Sequence, residues 1–191
     1  MKKHIIIACL YTLITAVVLG LVYPLVITGL AKVAFRDKAN GQLIVRNGEI
    51  VGSMLIGQAF TGQNYFHSRP SAAGTGYDAS ASSGSNLAPT SKTLIDRVNT
   101  SVSAETTGAP IPVDLVTASG SGLDPDISPA AALYQVPRIS RERRLPEAML
   151  RQLVMNRIQP RQFGLLGEPT VNVLSLNLAL NQIKQRGDLS Q

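Results

Sequence analysis

His67 is the single histidine beyond the first few residues of this 191-residue chain, so any Ser-His-Asp hydrolysis would have to run through it. Asp78 and Ser82 follow closely in sequence, but such triads are assembled by the fold and not by proximity along the chain. A lone loop histidine is ordinarily structural or solvent-facing. Two longer stretches hold more candidate groups. Residues 65–89 carry Ser68, Arg69, Pro70, Tyr77, Asp78, Ser80, Ser82, Gly84 and Asn86. Successive N–H groups of a Gly/Ser-rich turn can cradle an anion. The same residues can equally hold an ordered surface loop through Asx and Ser turns. Residues 119–126 read SGSGLDPD, and Asp124 with Asp126 resemble a carboxylate pair or cation site. Placed just ahead of Ser128-Pro129, they serve turn formation and helix capping better, and no metal is implied. The chain has no GxxxxGK(S/T) phosphate loop, no HExxH, no CxxC and no GxSxG.

These loops need elements to position them. Residues 42–57 place two β-branched runs around Asn47-Gly48, the strongest short hairpin signal. The Gly/Ser-rich stretch 57–89 is too long for an ordinary connection, so it is functional or packed on itself. Residues 89–105 have helical spacing, with Leu94, Ile95, Val98 and Val102 on one face and Pro89 suited to the first turn. A strand is expected over 113–118. A helix starts with Ser128 as N-cap and Pro129 at its first position, and another runs from near Pro146 to before Pro160. A last amphipathic helix covers 171–184, with Leu174, Leu178 and Ile183 toward the core and Asn172, Asn177 and Asn181 between. Strands followed by helices predict an α+β domain over 36–191.

Ahead of that domain, residues 5–31 contain no charge over 27 positions. At about 1.5 Å per residue such a helix spans roughly 40 Å, against about 30 Å of bilayer hydrocarbon. A cleaved signal peptide would have a shorter apolar core and a small-x-small site. The closest match, Gly29-Leu30-Ala31, is followed at once by Lys32, so residues 1–35 read as an uncleaved, single-pass membrane anchor. Lys2 and Lys3 on one flank balance Lys32, Arg36 and Lys38 on the other, leaving orientation open. Ala8, Thr12, Ala16 and Gly20 recur at every fourth residue, a face on which helices approach closely in lipid, or a chance product of membrane-helix composition. Pro24 predicts a kink.

The chain carries 18 basic and 12 acidic residues, a net charge of +6. Seven arginines (138, 141, 143, 144, 151, 157 and 161) against two glutamates concentrate that charge in one stretch. With no aromatic interleaved over 137–161, a nucleic-acid role is disfavoured, leaving a solvated face or an acidic partner. The single cysteine, Cys9, lies within the anchor, so no intramolecular disulfide forms.

Four strings go further. The span with Tyr23-Pro24, the loop YFHSRPSAAGTGYDASASSGSNLAPTS (65–91), the segment SGSGLDPDISPAAALYQVPR (119–138) and GEPTVNVLSLNLAL (167–180) resemble, in order and over essentially the whole chain, the KdpC family. The resemblance implies the C subunit of a bacterial high-affinity potassium uptake complex. Its partners would be a channel-like potassium-binding subunit and a P-type ATPase subunit, with membrane lipid around the span. ATP and potassium would be handled by the complex, not by this chain. The absence of DKTGT and TVGYG strings agrees with that division. The implied role is assembly and stimulation, a catalytic chaperone raising ATP affinity without being an enzyme itself. The implied location is the bacterial plasma (inner) membrane, N-terminus cytoplasmic and large domain extracytoplasmic.

That topology keeps the domain from cytoplasmic ATP, so an effect on ATP affinity must run through the span or the partners, as a differential effect on two states. The run 82–85 has some likeness to an ATP-contacting signature but lacks a lysine. The rival reading is a membrane-anchored extracytoplasmic scaffold or binding domain unrelated to potassium.

Overall fold

The computed structural model describes residues 1–105 and 109–188. It divides into two units, Met1–Ile44 and Val45–Gln191.

The first unit is dominated by one helical rod, Lys2–Ala34, 33 residues long, long and apolar enough to cross a membrane and without a buried residue. Helix α1 (Lys2–Val17) passes through a π-helical turn, Val18–Val22, into α2 (Tyr23–Ala34). The position of that turn has a local cause. Pro24 has no N–H to offer the carbonyl four residues back, that of Gly20, and the chain widens just ahead of it. The Tyr23 N–H donates instead to the Val18 carbonyl, five residues back. The expected kink is thus a π-turn. Ala8, Thr12 and Ala16 lie on α1, and Gly20 lies in the wider turn. A short α3 (Arg36–Ala39) follows.

The hairpin forms as its Asn-Gly turn requires, with β1 (Leu43–Arg46) and β2 (Glu49–Ser53) paired around Asn47 and Gly48, both at positive φ.

The second unit is α+β. Its core sheet has the order β3-β5-β4, from β3 (Asp126–Ile127), β4 (Ile158–Gln159) and β5 (Thr170–Asn172), all antiparallel. Val171 on the central strand pairs with Ile127 on one side and Ile158 on the other. Around the sheet pack α5 (Pro129–Arg143), α6 (Glu147–Met155) and α7 (Val173–Asp188). Ile127, Val136, Ile139, Leu150, Val154, Val171, Leu176 and Leu180 fill the core, joined by Phe66 from the long loop. Ser128 caps α5 as expected, its Oγ accepting from the Ala131 N–H at 3.1 Å, with Pro129 in the first turn.

Three expectations need correction. Residues 113–118 are not a strand. Val113–Leu115 is a 3₁₀ turn in which the Leu115 and Val116 amides bond back to Pro112 and Val113, so the backbone is satisfied locally. The last helix begins two residues late, because Val171 and Asn172 belong to β5, and Leu176 and Leu180 occupy the core in place of half-buried Leu178 and Ile183. Helix α4 (Lys92–Ala104) starts after Ser91, not at Pro89, and buries no residue fully.

Candidate functional site

The two chemistry-bearing loops dock onto each other. Arg69 anchors the contact: its Nη1 donates to Asp124 Oδ2 at 3.2 Å and its Nη2 to the Ala118 carbonyl at 3.4 Å. The Tyr77 hydroxyl reaches back to the Arg69 carbonyl, and the Tyr77 N–H donates to Ser71 Oγ at 2.8 Å. Ser71 in turn donates to the Gly122 carbonyl at 2.6 Å. Pro70, between Arg69 and Ser71, fixes φ at the centre of this knot. Ser68 donates to the Gln58 carbonyl at 3.1 Å. Ser82 Oγ and the Ser83 N–H both donate to the Ser121 carbonyl, at 3.0 and 2.9 Å.

Two glycines set the closeness of approach. A Cβ on Gly84 would lie 2.8 Å from the Gly120 carbonyl oxygen. On Gly122, at φ +68°, it would lie 2.5 Å from the Ser83 carbonyl oxygen and 2.7 Å from the Ala73 nitrogen. Asn86 also takes positive φ, 50°, which asparagine tolerates.

Asp78 Oδ1 accepts from the Ser80 N–H at 2.9 Å and the Ser80 hydroxyl at 2.6 Å, an Asx turn. Those bonds hold its carboxyl below its ordinary range. Burial pushes the Tyr77 phenol up, with a hydrogen bond to Ser68 opposing it.

The two aspartates of 119–126 do not cap α5. Asp124 Oδ1 accepts from the Asp126 N–H at 3.1 Å, closing a turn, while Asp126 accepts from Asn172 Nδ2 at 3.0 Å and from Thr170 Oγ1 at 3.4 Å, bracing β3 against β5. Burial raises the Asp126 pKa, Asn172 opposes the shift and nearby Asp124 adds to it. The carboxylate that serves the start of α5 is Asp114, whose Oδ2 accepts from the Ser128 N–H at 2.6 Å.

His67 is placed structurally. Its ring Nε2 lies 3.0 Å from the Gly62 carbonyl, and its Nδ1 is 3.9 Å from Glu105 Oε1. The imidazole holds the Glu105 carboxyl below its usual value, burial opposes this, and Arg138 assists it. Neither Asp78 nor Ser82 bonds to His67; both are committed elsewhere. Among the described residues no group of three His, Cys, Asp or Glu side chains gathers to hold a metal.

Four residues outside the candidate site set hold the loop to the core, three of them (Gln135, Arg138 and Asn177) within the strings 119–138 and 167–180. Asn177 on α7 accepts from the Phe66 N–H and donates to the Phe66 carbonyl, both at 2.9 Å. Gln135 on α5 does the same for His67, at 2.7 and 3.1 Å. Two buried amides thus clamp consecutive residues as a neighbouring strand would. Arg138 donates to the carbonyls of Gln63 and Tyr65 and to Gln135 Oε1. Arg143 donates to the Asn64 carbonyl at 2.6 Å and lies 4.7 Å over the Tyr65 ring. The sequence does contain a hint: Gln135 and Asn177 are amides at helix positions flanked by core residues.

This narrows the expectation of a solvated basic face: Arg138 and Arg143 are engaged with the loop, while Arg141, Arg144, Arg151, Arg157 and Arg161 are exposed. Arg151 pairs with Glu147, Arg161 with Glu168, and Arg157 donates to Ser175. What the two loops form is a polar lock whose groups face one another, a shape-bearing element and not a catalytic cleft.

A model of the KdpC family, described as the c chain of K+-transporting ATPase, matches residues 5–182. A protein from Acidobacterium capsulatum named potassium-transporting ATPase KdpC subunit is 62% identical over 182 residues, covering 95% of this chain and 99% of its own. A second of that name, from Koribacter versatilis, is 60% identical over 184 residues, covering 95% of each. A third, from Methylobacterium nodulans, is 52% identical with 96% of each chain covered. With that coverage at that identity, and with the family's loop strings built into one lock, the chain belongs to the KdpC family.

Proposed function

We propose that the chain is a non-catalytic, membrane-anchored subunit of a potassium-transporting ATPase, assisting assembly and raising the ATP affinity of a P-type ATPase subunit beside a channel-like potassium-binding subunit. The observation that supports this reading best is the family match over residues 5–182, which takes in both the anchor and the lock. The lock adds to it, because Arg69, Ser71, Ser82 and Asp124 are engaged with each other and with backbone, as a shape-bearing element requires. The same reading places the N-terminus in the cytoplasm and the large domain outside, in the plasma membrane.

The deciding experiment measures potassium-stimulated ATP hydrolysis by the complex purified with and without this chain. The expected result is a higher KM for ATP without it. An unchanged ATP dependence would remove the chaperone role while leaving membership of the complex intact. A reporter fused after Gln191 should behave as extracytoplasmic.

We also propose that Ala8, Thr12, Ala16 and Gly20 form the helix face that meets a partner span. An i, i+4 series drifts around an ordinary α-helix, and the wider π-turn slows that drift, keeping Gly20 near the face of Ala16. Ala16→Leu or Gly20→Leu should reduce co-purification with the partners more than Leu19→Ala does.

A further inference from the structure

The segment after β4 forms a short finger. The Gln162 N–H donates to the Leu166 carbonyl and the Leu166 N–H to the Gln162 carbonyl, each at 2.9 Å, with Phe163 and Gly164 at its tip. The backbone is therefore fixed, yet the side chains are not folded in. Phe163 is 92% exposed, Leu165 80% and Leu166 60%. Phe163 also holds φ +53°, a left-handed conformation that suits Asn or Gly and is disfavoured for a bulky ring. Fold stability selects against both features together. An outlier of this kind points to a use.

Charge decides between the occupants such a tip could have. A finger that enters an anionic bilayer carries a basic collar. Here the one cation on the finger, Arg161, is 2.5 Å from Glu168 and neutralised by it. Beside the finger lies a cleft of about 370 Å³ whose lining includes Asp126, Gln159, Gln162, Glu168 and Thr170. The face thus offers an apolar knob and an acidic, hydrogen-bonding hollow side by side. With Glu168 paired to Arg161, Asp126 is the carboxylate of the hollow left to disfavour an anionic headgroup. An apolar anchor with a polar, hydrogen-bonding rim is the anatomy of a protein interface.

We infer that the 161–168 finger is a docking knob that seats in an apolar pocket of another protein subunit of the same membrane complex, with a donor group of that subunit, lysine, arginine or amide, entering the neighbouring cleft. The inference rests on the proposed subunit role and names the surface that serves it.

The test co-expresses full-length chain with the other subunits and recovers the complex through a tag on this chain. The double variant Phe163→Asn/Leu165→Ser should retain about one tenth of the partner polypeptides that wild type retains, while its thermal unfolding midpoint stays at the wild-type value. If the double variant unfolds early, Phe163→Asn alone carries the measurement, since asparagine suits the positive φ. Undiminished recovery by variants while wild type recovers partners overturns the finger inference and leaves the subunit role standing. Failure of wild type to recover any partner overturns both. The lipid alternative is read separately. The chain has no tryptophan, so Phe163→Trp provides a single reporter in full-length protein reconstituted alone into phosphatidylethanolamine–phosphatidylglycerol vesicles. Absence of quenching by brominated acyl chains supports the protein pocket, and strong quenching places the finger in lipid and overturns it.

Discussion

The lock formed by residues 65–91 and 119–126 and the finger at 161–168 are opposites in both sequence and structure. The lock is crowded with serine, aspartate, arginine and tyrosine, the residue types from which active sites are built. Its groups are nevertheless used inwardly: Arg69 on Asp124, Tyr77 on Arg69, Ser71 on Gly122. The finger reads Gln-Phe-Gly-Leu-Leu, with no chemistry to notice, and yet exposes three large apolar side chains. The difference follows from what a long irregular segment must do. Without helix or strand ladders, each backbone N–H and C=O it buries needs a partner, and short polar side chains provide them. A dense polar loop is therefore often a solution to folding. Exposed apolar surface on a rigid turn solves no folding problem, and so is the better pointer to a partner.

If that division holds, substitutions in the lock change stability first and association only through it. The largest effect is expected at the clamp. Asn177→Ala removes two buried hydrogen bonds and strands the N–H and C=O of Phe66 inside the core. A loss of about 2–4 kcal/mol is expected, measured by thermal or denaturant unfolding of the full chain in detergent. A change below about 0.5 kcal/mol would mean the loop is held by something other than this clamp, and the contrast with the finger would weaken.

The clamp also marks where the sequence stops being readable. The hairpin turn at Asn47-Gly48, the Ser128-Pro129 start of α5 and the apolar rod of the anchor follow from local rules and are all present. Residues 113–118, with Val113, Leu115, Val116 and Thr117, have the composition of a strand, but Pro112 and the engagement of Asp114 by the Ser128 amide accompany a 3₁₀ turn instead. The lock residues themselves were visible as unusual strings. Their pairing was not, because Arg69 and Asp124 meet across 55 positions and Phe66 and Asn177 across 111. No periodicity encodes a contact of that separation. For the same reason, nothing in the arginines of 138–161 singles out Arg138 and Arg143, which hold the carbonyls of 63–65, from the exposed remainder.

A smaller effect is expected at the ion pair. Arg69 and Asp124 are each about one third exposed in their side chains, so water screens part of their attraction. A double-mutant cycle with Arg69→Met and Asp124→Asn should give a coupling of about 1 kcal/mol. Coupling near zero would leave the close glycine approaches at Gly84 and Gly122 as the main reason that the loops stay together.

Smaller still is the effect at Asp126, where the two regions meet, since this residue braces β3 against β5 and also lines the cleft beside the finger. Its carboxyl titrates above its ordinary value of 3.8 because burial disfavours the charged form more than Asn172 favours it. The sign follows from linkage. A folded pKa above the unfolded one means that the folded state binds the proton more tightly, so the stabilising contribution is complete below about pH 3.8 and is lost as pH rises through the folded value. Asparagine keeps an acceptor for Asn172 and carries no charge. Asp126→Asn should therefore gain stability relative to wild type as pH rises from 3 toward 7. Glu105, shifted the other way, is common to both proteins and cancels from the comparison. Unfolding midpoints of the two proteins across that range decide it. A variant that loses ground with rising pH would show that the Asn172 and Thr170 bonds outweigh burial and make Asp126 a net-favourable anion in the lock.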